Sequence, residues 1–385
     1  MACEEGNLTV DTVVPYLIEQ GLVSVDAIVE GDLEVVDAGR RNQNLKVIRR
    51  RGPSYLIKQP GEGERGTQMT LRVEVAFYRH CHLDPGVDDM RGLLPRLHHS
   101  DADRGTLTIE LIDGRPLWGS YAQVPSAEFL AQFAAPLGDA IGTMHRTFRE
   151  PSARATEWMS GLYAGPPWFF GMQRPTPDIF AALSPANIHV LRVVQRSAPI
   201  VSALDELGAE WSPDTLIHND LKGDNVLVSE GGQQPRVRVV DWEMLQVGDA
   251  AWDVGCMLRD FLGYWLLSVP LTSDLTTEQM LERCTWPLSL LHPAARAFWQ
   301  AYRTSAQLDA DASGAFLLRS MRYAATRLAQ GAYELSLTQQ QASNLALAML
   351  QLGANILTDP REASLHLFGI PAPWRQTFAY AASGV

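Results

Sequence analysis

Leu216 to Gly255 reads LIHNDLKGDNVLVSEGGQQPRVRVVDWEMLQVGDAAWDVG, and the reading of the whole chain starts from it. Two short runs of β-forming residues, Asn225 to Ser229 and Arg236 to Val240, flank a turn containing Gly231-Gly232, which is a hairpin signal. Closing that hairpin folds His218, Asp220, Asn225 and Asp241 towards one place. A carboxylate able to receive a hydroxyl proton, an Asn at its fifth neighbour and a second Asp beyond a hairpin are what metal-assisted phosphoryl transfer requires. Asp220 is expected to orient an acceptor hydroxyl, while Asn225 and Asp241 offer hard oxygens that hold Mg2+ against nucleotide phosphates. The competing reading, a polar hairpin with solvated acids, leaves the typed pattern of residues unexplained.

His218-x-Asp220-x-x-x-x-Asn225, then Asp241-Trp242-Glu243, then Gly248-Asp249-Ala250-Ala251-Trp252-Asp253 resembles the aminoglycoside phosphotransferase and choline kinase family, small-molecule relatives of the protein kinases. The resemblance implies an α+β, bilobal protein-kinase-like fold. A small antiparallel sheet with one key helix and a helical N-terminal cap would form a nucleotide-binding lobe over residues 1–112. Residues 113–385 would form a large, mainly helical lobe with the catalytic loop, the metal site and the acceptor region. It implies ATP and Mg2+ as cofactors. Within the pattern, Asp220 is the catalytic carboxylate, His218 braces its loop and Asp253 holds that loop's backbone. Glu243 joins Asn225 and Asp241 as a metal candidate or hydrogen-bonds beside them. Two residues depart from the small-molecule pattern. Asn219 stands where glycine is common, and Lys222 follows the Ser/Thr protein-kinase habit of a lysine that contacts the transferred phosphate.

Composition bounds these expectations. With 385 residues the chain can bury a full core without disulfides. Cys3, Cys81, Cys256 and Cys284 are scattered, with no C-x-x-C pair, which points to a reducing compartment and away from zinc. The start, MACEEGNLTVD, has acids where a signal peptide needs basic residues, and the apolar run Phe261 to Leu271 is too short to span a bilayer. A cytoplasmic enzyme with no membrane contact is expected. A formal charge of −12 disfavours nucleic-acid binding and suits cationic ligands wherever the acids lie near the site.

Upstream, Thr9 to Gln20 has helical apolar spacing and stops at Gly21. Strand-like runs follow at Leu33 to Ala38, Leu45 to Arg50 and Ser54 to Gln59, then at Leu93 to Leu97 and Thr106 to Leu111, giving a five-stranded sheet. Lys58 sits on the third run, and the helical segment Thr70 to Cys81 carries Glu74 among apolar neighbours, so the two can pair. In the kinase arrangement that pair holds the lysine against the α- and β-phosphates. Gly61-Glu62-Gly63-Glu64-Arg65-Gly66 is a decoy: its acids would repel a pyrophosphate and it follows the lysine instead of preceding it, so it reads as a connector. The loop in the right place, residues 39–44, has one glycine and offers Asn42, Gln43 or backbone amides as phosphate donors. Arg40, Arg41, Lys46, Arg49, Arg50 and Arg51 crowd the same hairpin, either as a solvated edge or as a contact for ATP phosphates or an acidic peptide. Glu110 to Gly114 looks like the family's hinge, where the main chain of Glu110 and Ile112 would meet adenine.

Downstream, Ser126 to Phe148 and Ala186 to Leu207 read as helices, as do Ala295 to Tyr302, Gly314 to Leu335 and Ala342 to Leu357. The loop Gly165 to Pro177 carries Trp168, Phe169 and Phe170, which serve either as an acceptor wall or as packing. Three functions are consistent with these residues. The first is an ATP- and Mg2+-dependent phosphotransferase acting on the hydroxyl of a small molecule, an aminoglycoside or related alcohol. The second, favoured by Lys222 and the basic hairpin, is a Ser/Thr kinase of a peptide precursor in a natural-product pathway, working beside partner enzymes. The third is a kinase-fold scaffold that binds nucleotide without turnover.

Overall fold

The computed structural model describes residues 7–39, 43–61, 65–101, 104–119, 126–150, 156–229 and 236–371. Asn42, Arg40, Arg41, the connector residues 62–64 and the Gly231-Gly232 turn lie outside the described residues. The chain packs as two compact units, one made of residues 1–123, 143–165 and 212–250, the other of residues 124–142, 166–211 and 251–385.

In the first unit, β1 (Leu33–Asp37), β2 (Gln43–Arg49), β3 (Tyr55–Gln59), β4 (Leu97–Asp101) and β5 (Thr106–Glu110) form an antiparallel sheet in the order β1-β2-β3-β5-β4. Side chains alternate across a strand. Tyr55 and Ile57 therefore share one face of β3, and both are buried with Val13, Tyr16 and Leu17 of helix α1 (Val13–Glu19) and Ala27 of α2 (Val25–Val29). Lys58 projects from the opposite face, towards α3 (Arg65–Leu83). The small helices thus cover one face of the sheet, and the helix carrying Glu74 covers the other.

The strand expected at Leu93 to Leu97 is a turn, closed by Leu93 N–H donating to the Met90 carbonyl, and the strand begins where that run ends. Pro95 removes a ladder donor there. The true edge strand, LHHSD, is half-buried throughout and shows no apolar alternation to read. Two of the basic hairpin residues have local duties: Arg49 Nη2 lies 3.1 Å from the buried Asp32 carboxylate, and Arg51 pairs with Glu30 at 3.0 Å.

The rest of the first unit is made of short strands. β6 (Arg115–Pro116), β8 (Val226–Ser229) and β9 (Arg236–Val239) form one sheet, and β7 (Thr215–Ile217) pairs with β10 (Gln246–Gly248) in another. Phe77 of α3 packs on Trp242 at a ring-centroid distance of 4.7 Å, and both are fully buried. Burying two such rings contributes several kcal/mol, about 1.5–3 each, to holding α3 over the segment that follows β9.

The second unit is helical, with most of α4 (Ala127–Arg149), then α5 (Pro177–Ala181), α6 (Pro185–Arg196), α7 (Ala198–Ala209), α8 (Ala250–Leu267), α9 (Thr277–Glu282), α10 (His292–Ser305), α11 (Ala310–Glu334), α12 (Asn344–Thr358) and α13 (Pro360–Phe368). Ala186 to Leu207 is two helices instead of one: Ser197 is extended, and Pro199 lacks the N–H that would carry the first helix onward but is tolerated in the first turn of the next. Gly138 and Gly142 bring α4 against α10, where a Cβ would lie 2.2 Å from the Phe298 carbonyl oxygen and 2.7 Å from that of Tyr302. Phe169 and Phe170 are buried, Phe170 among Trp211, Trp252 and Tyr323, while Trp168 is 57% exposed against Tyr333. Two of the three candidate wall residues are therefore core. Among the described residues no helix is long and apolar enough to cross a membrane.

Candidate active site

Lys58, Glu74 and Asp241 meet. Lys58 Nζ donates to both Glu74 oxygens, at 2.8 and 2.7 Å, and to Asp241 Oδ1 at 2.9 Å. Glu74 is fully buried and Lys58 nearly so, whereas the Asp241 side chain is 38% exposed, so the cluster opens to solvent through Asp241. Burial alone would push the Lys58 ammonium down. The Glu74 and Asp241 carboxylates beside it outweigh that and hold it above the ordinary lysine range. Burial raises Asp241, and the attraction of Lys58 overcomes it to leave this carboxyl below its usual value. Glu74 is raised by burial against the pull of Lys58, and its Oε1 also accepts from the Trp242 backbone N–H at 3.3 Å. An ion pair this buried repays its desolvation only when further hydrogen bonds complete it, and here the Trp242 N–H does so.

Asp241 has φ 66° and Asn219 has φ 68°, a left-handed conformation that Asn and Asp tolerate better than other side chains. Asn219 follows β7 and Asp241 follows β9, so each short strand turns sharply as it reaches the site. Asn219 can replace glycine for this reason, and its Nδ2 donates to Gln246 Oε1 at 3.2 Å on β10.

The loop between β7 and β8 carries the other polar groups. Asp220 N–H donates to His218 Nδ1 at 3.3 Å, which leaves Nε2 as the protonated nitrogen, 3.0 Å from the Val240 carbonyl. His218 is fully buried and packs on Trp242 at 4.6 Å, tying the Asp220 loop to the residue before Asp241. Asn225 Nδ2 donates to the Asp220 carbonyl at 3.0 Å, and Val240 N–H donates to the Asn225 carbonyl at 2.9 Å. Lys222 Nζ lies 2.6 Å from Asp220 Oδ2. Asp220, Lys222, Asn225 and Asp241 are thereby joined, through the backbone or directly, in one network with Lys58 and Glu74.

Glu243 is half-buried on the helical turn after Asp241, and its charge is felt at Glu74. Glu110 ends β5, its N–H donating to the Arg96 carbonyl at 2.8 Å, and Leu111 N–H donates to the Ser54 carbonyl at 2.9 Å. These bonds fix the chain just ahead of Ile112. Asp253 is fully buried in the first turn of α8.

Sequence reading missed Trp118. It is buried over Gly223, where a Cβ would come within 2.0 Å of its ring, and Leu117 N–H donates to the Gly223 carbonyl at 3.0 Å. A glycine inside the loop without a positive φ is the only trace of this contact in the sequence, since more than a hundred residues separate the partners.

Asn225 and Asp241 make an amide and a carboxylate, an all-oxygen set suited to a hard cation. Among the described residues no group of three or more His, Cys, Asp or Glu stands together as a metal cage. An amide and a carboxylate of this kind suit a hard divalent cation whose remaining positions are filled by other oxygens.

The fold is protein-kinase-like, and the chain is a phosphotransferase by family. The model of the "Phosphotransferase enzyme family" matches residues 32–283, and the chain belongs to that family. No curated protein sequence matches it. Three solved structures share its fold. A choline kinase from Cryptosporidium parvum Iowa II is 12% identical, with 93% of this chain and 98% of that one covered and a TM-score of 0.54. A Plasmodium vivax ethanolamine kinase is 14% identical, with coverages of 91% and 90% and a TM-score of 0.53. A microcompartment-associated aminopropanol kinase is 14% identical, with coverages of 94% and 99% and a TM-score of 0.52.

Proposed function

We propose that the protein transfers the γ-phosphoryl group of ATP, in the presence of Mg2+, to a hydroxyl of a small molecule. The observation that carries this reading is Lys58 Nζ bridging Glu74 and Asp241. A buried lysine so oriented is a phosphate ligand held ready by one carboxylate, next to a second carboxylate able to share a metal. Residues 1–112 hold the nucleotide, with the Glu110 carbonyl and the Ile112 amide towards adenine. Residues 113–385 supply catalysis and the acceptor region.

Asn225 and Asp241 would hold Mg2+, with Glu243 beside them, and the ion supplies neutralisation of phosphate charge. The acceptor O–H is aimed by Asp220, which takes its proton as the oxygen bonds to the γ-phosphorus and the bond to the ADP oxygen breaks. His218 keeps Asp220 in place through its backbone N–H. Lys222, already on Asp220 Oδ2, is close enough to follow negative charge onto the transferred group.

The Lys222 contact also supports a second reading, a Ser/Thr kinase of peptides, because that lysine is a protein-kinase habit. A nucleotide-binding scaffold has less support, since Lys58, Glu74, Asp220, Asn225 and Asp241 are all retained and share one network. Incubation with MgATP and a panel of aminoglycosides, choline, ethanolamine, aminopropanol and Ser/Thr peptides, read by 31P resonance and product mass, separates the three. Phosphate on a small alcohol is expected. Phosphate only on a peptide would sink the first reading, and nucleotide binding with no product on any acceptor would favour the scaffold.

A further inference from the structure

Helix α3 presents Glu74 to Lys58, and its other side is a stripe of Arg72, Val75, Ala76 and Arg79, spaced three and four residues apart. That stripe closes on Pro60, Arg104 and Gly105 to form a groove of about 400 Å³ with Leu71, Val75 and Ala76 in its wall, a size suited to one small ligand. Its rim is basic. Arg104 lies 5.9 Å above the Tyr16 ring, with its Nε 3.8 Å from Asp101, the acid of the lining. Arg72 and Arg79 are exposed and make no ion pair with any described residue. Two guanidinium groups with no carboxylate partner among the described residues thus stand beside an apolar wall, on a chain of net charge −12.

We propose that this groove binds a small anionic amphiphile, an apolar body bearing one carboxylate, sulfonate or phosphate, and that its occupancy sets nucleotide affinity through α3. The charge complementarity selects an anion, the apolar wall selects an amphiphile, and the concave volume selects a small molecule over a protein segment. Glu74 is the neighbour of Val75 on the same rigid helix, and its bonds to Lys58 at 2.7 and 2.8 Å are lost on a displacement of about 1 Å. A ligand that holds α3 where those bonds form favours nucleotide binding, and by reciprocity nucleotide favours the ligand. The coupling, but not the binding, rests on the nucleotide-site reading above.

The test uses the full chain and 8-anilinonaphthalene-1-sulfonate, whose fluorescence reports binding without any turnover. Saturable binding is expected, weakened about tenfold or more both by Arg72→Ala with Arg79→Ala and, separately, by Val75→Trp, which fills the groove. Unchanged affinity in both variants overturns the site. Magnesium and a non-hydrolysable ATP analogue should tighten the probe about threefold or more, and the probe should tighten the analogue by the same factor. If the analogue binds and no mutual shift follows, the regulatory part is overturned. If the analogue does not bind at all while the variants still release the probe, the groove is upheld and the proposed function is what fails.

Discussion

Lys58 is the residue on which the account is most exposed. Replacing it by Met keeps the stem and removes the charge, so Glu74 is left buried with a carboxylate and a backbone N–H but no cation. Breaking a buried pair in this way costs about 3–5 kcal/mol at neutral pH. The sign of its pH dependence follows from linkage. Without Lys58 the main attraction opposing burial at Glu74 is gone, so its carboxyl in the folded chain rises further above its unfolded value. The folded state then binds the extra proton, and stability of Lys58→Met falls as pH rises through and above the carboxylate range. Asp241 runs the other way. Its carboxyl is lowered in the folded chain, so its contribution is present above the ordinary carboxylate value and is lost as pH falls through the folded one. Urea midpoints from about pH 2 to 8 for the wild type, Lys58→Met and Asp241→Asn are expected to show a downward slope for the first variant and a flattened acid limb for the second. At Asp220, substitution by Asn should lower kcat by about 100-fold or more with little change in stability, measured by single-turnover transfer and thermal melting.

At the scale of elements, close approach limits what the chain tolerates. Gly223→Ala drives a Cβ into the Trp118 ring and should cost about 1–3 kcal/mol and most of the turnover, and Trp118→Leu in the same chain should restore part of both. Gly138→Ala acts in the helical unit, against the Phe298 carbonyl, and should lower the melting temperature while a properly folded fraction keeps its nucleotide affinity. The sequence showed these elements unevenly. Lys58 and Glu74 were legible because a lysine on a strand and a glutamate on the following helix have a defined period and order, and the structure brings them together. The edge strand Leu97–Asp101 was not, because a half-buried edge has no apolar alternation and the tempting run before it contains Pro95. The break at Ser197 was written in Pro199 but outweighed by apolar spacing on both sides. The pairing of β7 with β10 and the cover of Gly223 by Trp118 arise from contacts distant in sequence, which periodicity does not encode.

Across the whole molecule, the polar network lies in one unit whose segments come from three parts of the chain, residues 1–123, 143–165 and 212–250. Sequence motifs pointed to the polar network because its members are distinctive residue types at fixed spacing. The acceptor side gave no such types, since aromatic and apolar residues there read equally well as core, and Phe169 and Phe170 are core. Charge gives a weaker indication: a net of −12 suits a cationic acceptor without naming one. The claim beneath all of this is that Lys58 and Asp241 form a phosphate and metal site. Calorimetric titration with a non-hydrolysable ATP analogue, with and without Mg2+, tests it most directly on the wild type, Lys58→Met and Asp241→Asn. The account predicts Mg2+-dependent binding by the wild type, about tenfold or more weaker in Lys58→Met, and loss of the Mg2+ dependence in Asp241→Asn. Equal affinity in all three proteins, indifferent to Mg2+, would contradict it.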